Sequence, residues 1–268
     1  MRPKNKRKVR IVKVLNKVEG PKPFRSTIIE HKKESSMGKI AEVLSQRTDI
    51  SIYLAHLTKQ TETGSAFENL VSILKGKKLI AYNHHCLFSP LLKNHTHQEL
   101  FATVCFTETP LDKIQLLTNI DERKVNMEPY GLIFTKQTIR NAGGNPVFYL
   151  YEENQELKAL IMKMFRENSN ELEDFSHFGS LINVVKEKHD FSWEREWRIK
   201  GDYSFNYEDI FAIIAPGAEY LKIKKAVGTP EINNIFFIDP KSSMEQILER
   251  LIRCTHNIRK NNEQEKIV

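Results

Sequence analysis

The strand-like runs of this chain are short, apolar and unevenly spaced, and that spacing limits what the chain can fold into. They fall at residues 50–56, 101–106, 130–135, 146–151, 196–200, 210–215 and 235–238. Helical patterns separate some of them and not others. A doubly wound parallel sheet needs regular strand–helix–strand alternation, which is absent, so the pattern predicts an α+β fold. At 268 residues the chain is long enough to bury a substantial core.

The charge is unevenly placed. Of a formal net charge of +7, residues 1–18 contribute Arg2, Lys4, Lys6, Arg7, Lys8, Arg10, Lys13 and Lys17 without one acidic residue. Such an arm can neutralise nucleic-acid phosphates, with Arg7, Lys8 and Arg10 at its centre, or it can be a solvated tail. Pro21 and Pro23 follow. We therefore divide the chain into a basic extension, 1–35, and a folded domain, 36–268, opening with a helix capped by Ser35 or Ser36. No apolar run approaches the ~20 residues of a membrane span, and no signal-peptide core follows the basic start. Cys86, Cys105 and Cys254 form no CxxC pair. A reduced, cytoplasmic protein that does not enter the membrane is expected.

Several elements are legible from pattern alone. Phe67, Leu70, Val71 and Leu74 fall on one helical face after Thr63-Gly64-Ser65, with Gly76 placed to end the helix. Leu79 to Tyr82 reads as extended and residues 83–99 as a polar, His-rich loop. Residues 112–129 read as a charged loop over a site. Helices are expected at 136–142, 155–167, 171–187 and 244–258, with a turn at Gly143-Gly144.

Three motifs join apolar runs to polar groups that a core rejects unless they are paired or used. His56 and Thr58 would share a strand face, where an imidazole and a hydroxyl can hold ribose hydroxyls and an amide; a satisfied core histidine is the plain alternative. Cys105 to Leu111 leaves a strand through Thr107-Glu108-Thr109 and breaks at Pro110, where the hydroxyls can order a turn. Trp193-Glu194-Arg195-Glu196-Trp197-Arg198 places Glu194, Glu196 and Arg198 on one face if the segment is extended. One carboxylate would then be oriented by an arginine while the other does chemistry; a surface salt bridge is the alternative. Phosphate-binding glycine loops, GxSxG and HExxH are missing. His84, His85, Cys86, His95 and His97 suit zinc in type, but their spacing matches no standard site, so no metal is expected.

These pieces carry a resemblance. His56-Leu57-Thr58, followed by Leu70-Val71-Ser72-Ile73-Leu74, resembles the opening of DarT-type ADP-ribosyltransferases. Val104 to Leu111, Tyr130 to Lys136, Gly144 to Tyr149 and Glu194 to Arg198 are similar to the AbiGi family of abortive phage-resistance proteins. Together they cover roughly residues 50–215. The resemblance implies an ADP-ribosyltransferase-like split β-sheet with flanking helices that grips NAD and transfers ADP-ribose to a nucleobase. It implies Glu196 as the catalytic glutamate, with Glu194 as its substitute. His56 would contact the cofactor ribose with support from Thr58, and Thr107 would line the same cleft. Tyr130 or Phe106 would stack on nicotinamide, and Arg195, Arg198 or Arg140 would hold the pyrophosphate. A phage-defence toxin modifying RNA or single-stranded DNA would need a neutralising antitoxin. The other readings are a catalytically inactive antitoxin or nucleic-acid-binding protein of the same fold, and a metal-dependent nuclease built on the loop from His84 to His97.

Overall fold

The structure is a computed structural model that describes residues 50–83, 85–93, 97–118, 127–187 and 190–265, with side chains to residue 254. The basic arm with Arg7, Lys8 and Arg10, the extension 1–35 and the helix expected after Ser36 lie outside the described residues.

The centre is a seven-stranded sheet. Its strands are β1 (Tyr53–Leu57), β3 (Thr103–Glu108), β4 (Gly131–Thr135), β5 (Asn145–Pro146), β8 (Glu196–Lys200), β10 (Ile210–Ile214) and β11 (Phe236–Ile238), in the spatial order β11-β10-β4-β1-β3-β8-β5. Within this sheet, among the described residues, only the β10–β11 pair is parallel. Two small sheets stand apart: β2 (Lys78–Leu79) pairs antiparallel with β9 (Tyr203–Ser204), and β6 (Phe148–Tyr151) pairs parallel with β7 (Ile182–Val185). The described helices are α1 (Ala66–Gly76), α2 (Ser89–Leu92), α3 (Lys136–Asn141), α4 (Gln155–Glu167), α5 (Leu172–Gly179), α6 (Tyr220–Val227) and α7 (Met244–Glu265). The expected α+β class holds, and no described helix is long and apolar enough to cross a membrane.

Alternation along the strands sorts side chains onto two faces. The first face carries Leu54, Val104, Phe106, Leu132, Phe134, Ile199, Ile213 and Phe237. Leu70, Val71 and Leu74 of α1 and Ile223 and Val227 of α6 cover it. Each such leucine contributes about 1.5–3 kcal/mol by leaving water. The second face carries Ala55, Ile133, Ala212, Ile214, Phe236 and Ile238 under Leu111, Ile114 and Ile247. A third cluster around Phe88, Phe101, Ile161 and Phe175 joins α4 and α5 to the segment 86–101.

Helix α1 begins where the sequence places it. The Ser65 hydroxyl accepts the Glu68 N–H while Glu68 accepts the Ser65 N–H, a reciprocal cap. The helix ends at Gly76 as expected, with the left-handed capping conformation taken by the next residue, Lys77, at φ 50°. Gly131 is required by close approach, since a Cβ there would lie 2.2 Å from the His56 carbonyl oxygen. The segment expected as a helix over 171–187 is a helix only to Gly179. Its remainder, Ile182-Asn183-Val184-Val185, is rich in β-branched residues and pairs with β6. Residues 111–117 form a 3-10 helix whose Leu111, Ile114 and Leu117 are buried, at the start of the expected loop 112–129, of which residues 119–126 lie outside the described residues.

Candidate functional site

The pairing of β1 with β3 is short. Leu54 sits opposite Glu108 and Ala55 opposite Thr107, and there the ladder stops, although β1 runs on to Leu57 and pairs with β4 along its whole length. At that point the His56 ring takes over: Nδ1 lies 2.8 Å from the Cys105 carbonyl oxygen. A carbonyl only accepts, so Nδ1 carries the proton and a neutral ring leaves Nε2 as an acceptor. Burial lowers the His56 pKa, and the bond to Cys105 opposes that only in part.

On the other flank of β3, β8 pairs in register, with Thr107 opposite Glu196 and Cys105 opposite Arg198. These four side chains lie on the second face. Arg198 grips Glu196 with two parallel bonds, Nε to Oε1 and Nη2 to Oε2, both 2.9 Å. Its remaining Nη1 donates to the Ser180 carbonyl at 2.6 Å and the His85 carbonyl at 2.8 Å. The guanidinium is buried, with all three of its nitrogens hydrogen-bonded to protein. Burial disfavours its charge, yet Glu196 and nearby groups raise its pKa further. Glu196 is held through its backbone too. Its N–H donates to the Tyr149 hydroxyl at 2.8 Å, and its carbonyl accepts the Val147 N–H at 2.8 Å. Burial, with the carboxylates of Glu196 and Glu194 adding to it, pushes the Tyr149 phenol up to about 12. The Cys105 thiol contacts Glu196 and accepts from Asn83 Nδ2 at 2.7 Å. Burial, then the Glu196 charge, pushes that thiol up to about 12, so it remains protonated and unreactive.

The geometry separates several of the residues expected to form one site. Glu194 does not share the strand face of Glu196, because Ser192–Glu194 is a 3-10 turn and Arg195 follows in the left-handed region at φ 48°. His56 and Glu196 lie on opposite faces of the sheet: His56 pairs with Leu132, whereas Glu196 pairs with Thr107, itself opposite Ala55. Thr58 lies beyond β1, buried, and its hydroxyl donates to the Ala66 carbonyl at 3.0 Å and the Tyr130 carbonyl at 3.2 Å. That is a structural tie, because its one proton is spent on backbone. Phe106 is fully buried against Phe134 and Tyr203 and has no open ring face for nicotinamide. Tyr130, by contrast, is only partly buried, on the same face as His56.

The arginines separate. Arg198 is committed to Glu196, so it does not reach an external phosphate. Arg195 is 41% exposed and lies 3.2 Å from Glu108. Arg140 is exposed in the last turn of α3. Glu108 is a buried hub rather than a solvated loop residue. It takes Lys136 at 2.7 Å, Arg195 and the Ser51 N–H, which pins the start of β1 to the end of β3. Among the described residues no group of three or more His, Cys, Asp or Glu side chains is placed to hold a metal. His84 and His95 lie outside those residues. Sequence reasoning missed Tyr149, whose place two residues after Val147 on an alternating run was the available signal. Comparison with protein-family models, curated proteins and solved structures finds no match to this chain.

Proposed function

We propose that the chain is an NAD-dependent ADP-ribosyltransferase of a phage-defence system, modifying RNA or single-stranded DNA and neutralised by an antitoxin. The observation that carries the reading is the fixation of Glu196. Its carboxylate is oriented by a bidentate, buried arginine, and its backbone is held on both sides by the 147–149 segment. Cleavage of the nicotinamide–ribose bond builds positive charge on the sugar, as in glycoside cleavage. A pre-set carboxylate stabilises that charge without reorganising, and such an interaction is worth about 3 kcal/mol. Each carboxylate oxygen accepts more than one hydrogen bond, so the Arg198 pair leaves capacity for a ribose hydroxyl. Thr107 lies opposite Glu196 on the neighbouring strand and supplies a hydroxyl to the same face. On this reading His56 acts as a brace, fixing the β3 backbone at Cys105 from the other side of the sheet. The short β1–β3 ladder is compatible with the split sheet of such a fold.

One observation favours a second reading, a non-catalytic protein that binds nucleic acid or a partner. Both Glu196 oxygens are already engaged, and the carboxylate and His56 face away from each other. Labelled NAD, offered with cell RNA, single-stranded DNA and protein as separate acceptors, divides the two. The transferase reading expects label in one nucleic-acid pool, reduced at least about a hundredfold in Glu196→Gln. Label on protein would keep the enzyme and overturn the acceptor. Intact NAD and no label, with folded protein, would leave the binding reading. Because Glu196→Gln leaves Arg198 without its counter-charge, Tyr149→Phe is measured beside it as a variant that keeps the pair whole.

A further inference from the structure

Helix α7 carries two apolar stripes, and the core uses one of them. Ile247, Leu251 and Cys254, spaced four and three residues apart, pack on the second face of the sheet. Arg250 Nη1 donates to the Tyr220 hydroxyl at 2.9 Å, which ties the helix to α6 as well. Met244, Leu248 and Ile252 recur every fourth residue and form a separate row about 12 Å long. All three are exposed, and Ile252 keeps 67% of its surface in water. Single exposed apolar residues are ordinary, but an aligned row on a helix already anchored by its other stripe is the form that a helix-pairing surface takes.

The row beside it decides what can cover it. Glu245, Glu249 and Arg253 are also spaced by four, are all exposed, and run from negative to positive along the helix. Within one copy Arg253 Nη2 meets the Glu249 carboxylate at 2.6 Å, with both side chains mostly in water. A second α7 lying antiparallel across the first sets its Arg253 beside Glu249 and its Glu249 beside Arg253, two equivalent contacts related by one two-fold axis. Leu248 then faces Ile252 of the second copy, and the two helix dipoles run in opposite directions, which is favourable. A parallel pairing stacks glutamate on glutamate and arginine on arginine, which is repulsive. The surface is therefore complementary to itself in one direction only.

We propose that α7 joins two copies of this chain as an antiparallel helix pair, through Met244, Leu248 and Ile252 with Glu249 and Arg253 at the rim. The pairing does not depend on ADP-ribose transfer. Sedimentation velocity of the full chain from roughly 1 to 100 µM tests it, where an interface of this kind dissociates. The runs are made under reducing conditions, so that the free Cys254 thiol forms no disulfide. Wild type passes from monomer to dimer over that range. Leu248→Lys and Ile252→Lys change exposed positions and leave the melting temperature where it was. Each raises the dimer Kd at least about tenfold, because the apolar contact is lost and a charge takes its place. Glu249→Arg and Arg253→Glu each weaken the dimer, and the double variant Glu249→Arg/Arg253→Glu restores it. A chain that stays monomeric throughout overturns the proposal. So does a dimer that both lysine variants leave intact, because another face then holds it. Charge variants that dimerise like wild type overturn it too, because the helices are then not antiparallel.

Discussion

At the scale of single residues, Arg198 bears the most. It is the bulkiest of the fully buried side chains among the described residues, and it ties β8 to the Ser180 and His85 carbonyls while holding Glu196. Removing one partner of such a pair leaves a buried charge uncompensated, so Arg198→Met should cost about 3–5 kcal/mol in urea unfolding. The double variant Glu196→Gln/Arg198→Met should recover part of that loss. A single-variant loss below about 1 kcal/mol, the weight of a surface ion pair, would sink this account. His56 gives a second expectation. Burial sets its folded pKa below the ordinary 6.5, so between those two values the unfolded chain binds more protons. Its contribution is therefore complete above the ordinary value and falls as pH drops through that window. Melting temperature followed from about pH 8 to about pH 5 should decline on the acid side, and His56→Gln should flatten that part of the curve. Strand alternation made the shared face of Glu196 and Arg198 legible in the sequence. It could not exclude Glu194, because the left-handed turn at Arg195 leaves no compositional mark, and Gly or Asn would have announced one.

At the scale of elements, the helices with strong local signals were legible. The Ser65 cap of α1, with Glu68 three residues on, is written in the sequence and present in the fold. Ser65→Ala should remove both halves of that reciprocal cap and cost about 1 kcal/mol, read as a lower urea midpoint at unchanged slope. No change in midpoint would mean that α1 is held by Leu70 and Leu74 alone. Other elements were illegible for a physical reason: they depend on remote partners. The strand Ile182–Val185 exists because Phe148–Tyr151 pairs with it in parallel, across two helices. Without that partner, the apolar residues after Gly179 read as further turns of helix. Helix α6 was not anticipated at all. Half of its Tyr-Leu-Lys-Ile-Lys-Lys run is lysine, and only Ile223 and Val227 of the helix are fully buried.

At the scale of the whole molecule, the sequence revealed the mixture of strands and helices but not the strand order, which places β1 between β3 and β4 and β8 beyond β3. That order decides which motifs meet: it brings Thr107 to Glu196 and sends His56 to the opposite face. The proposed acceptor also belongs to this scale. A nucleic acid bound through the basic arm should show affinity that falls steeply with salt, and deletion of residues 1–18 should reduce the slope of log K against log salt. An unchanged slope would remove the arm from binding. The strand order has a last consequence, in time rather than space. Chains are synthesised from the N-terminus, and β1, β3 and β4 all emerge before β8. The centre of the sheet can form on the ribosome while β3 still waits for its outer neighbour. A nascent or prematurely ended chain therefore has the Thr107 edge but no Glu196 to set against it. If the proposed function holds, unfinished copies lack the glutamate on which it depends.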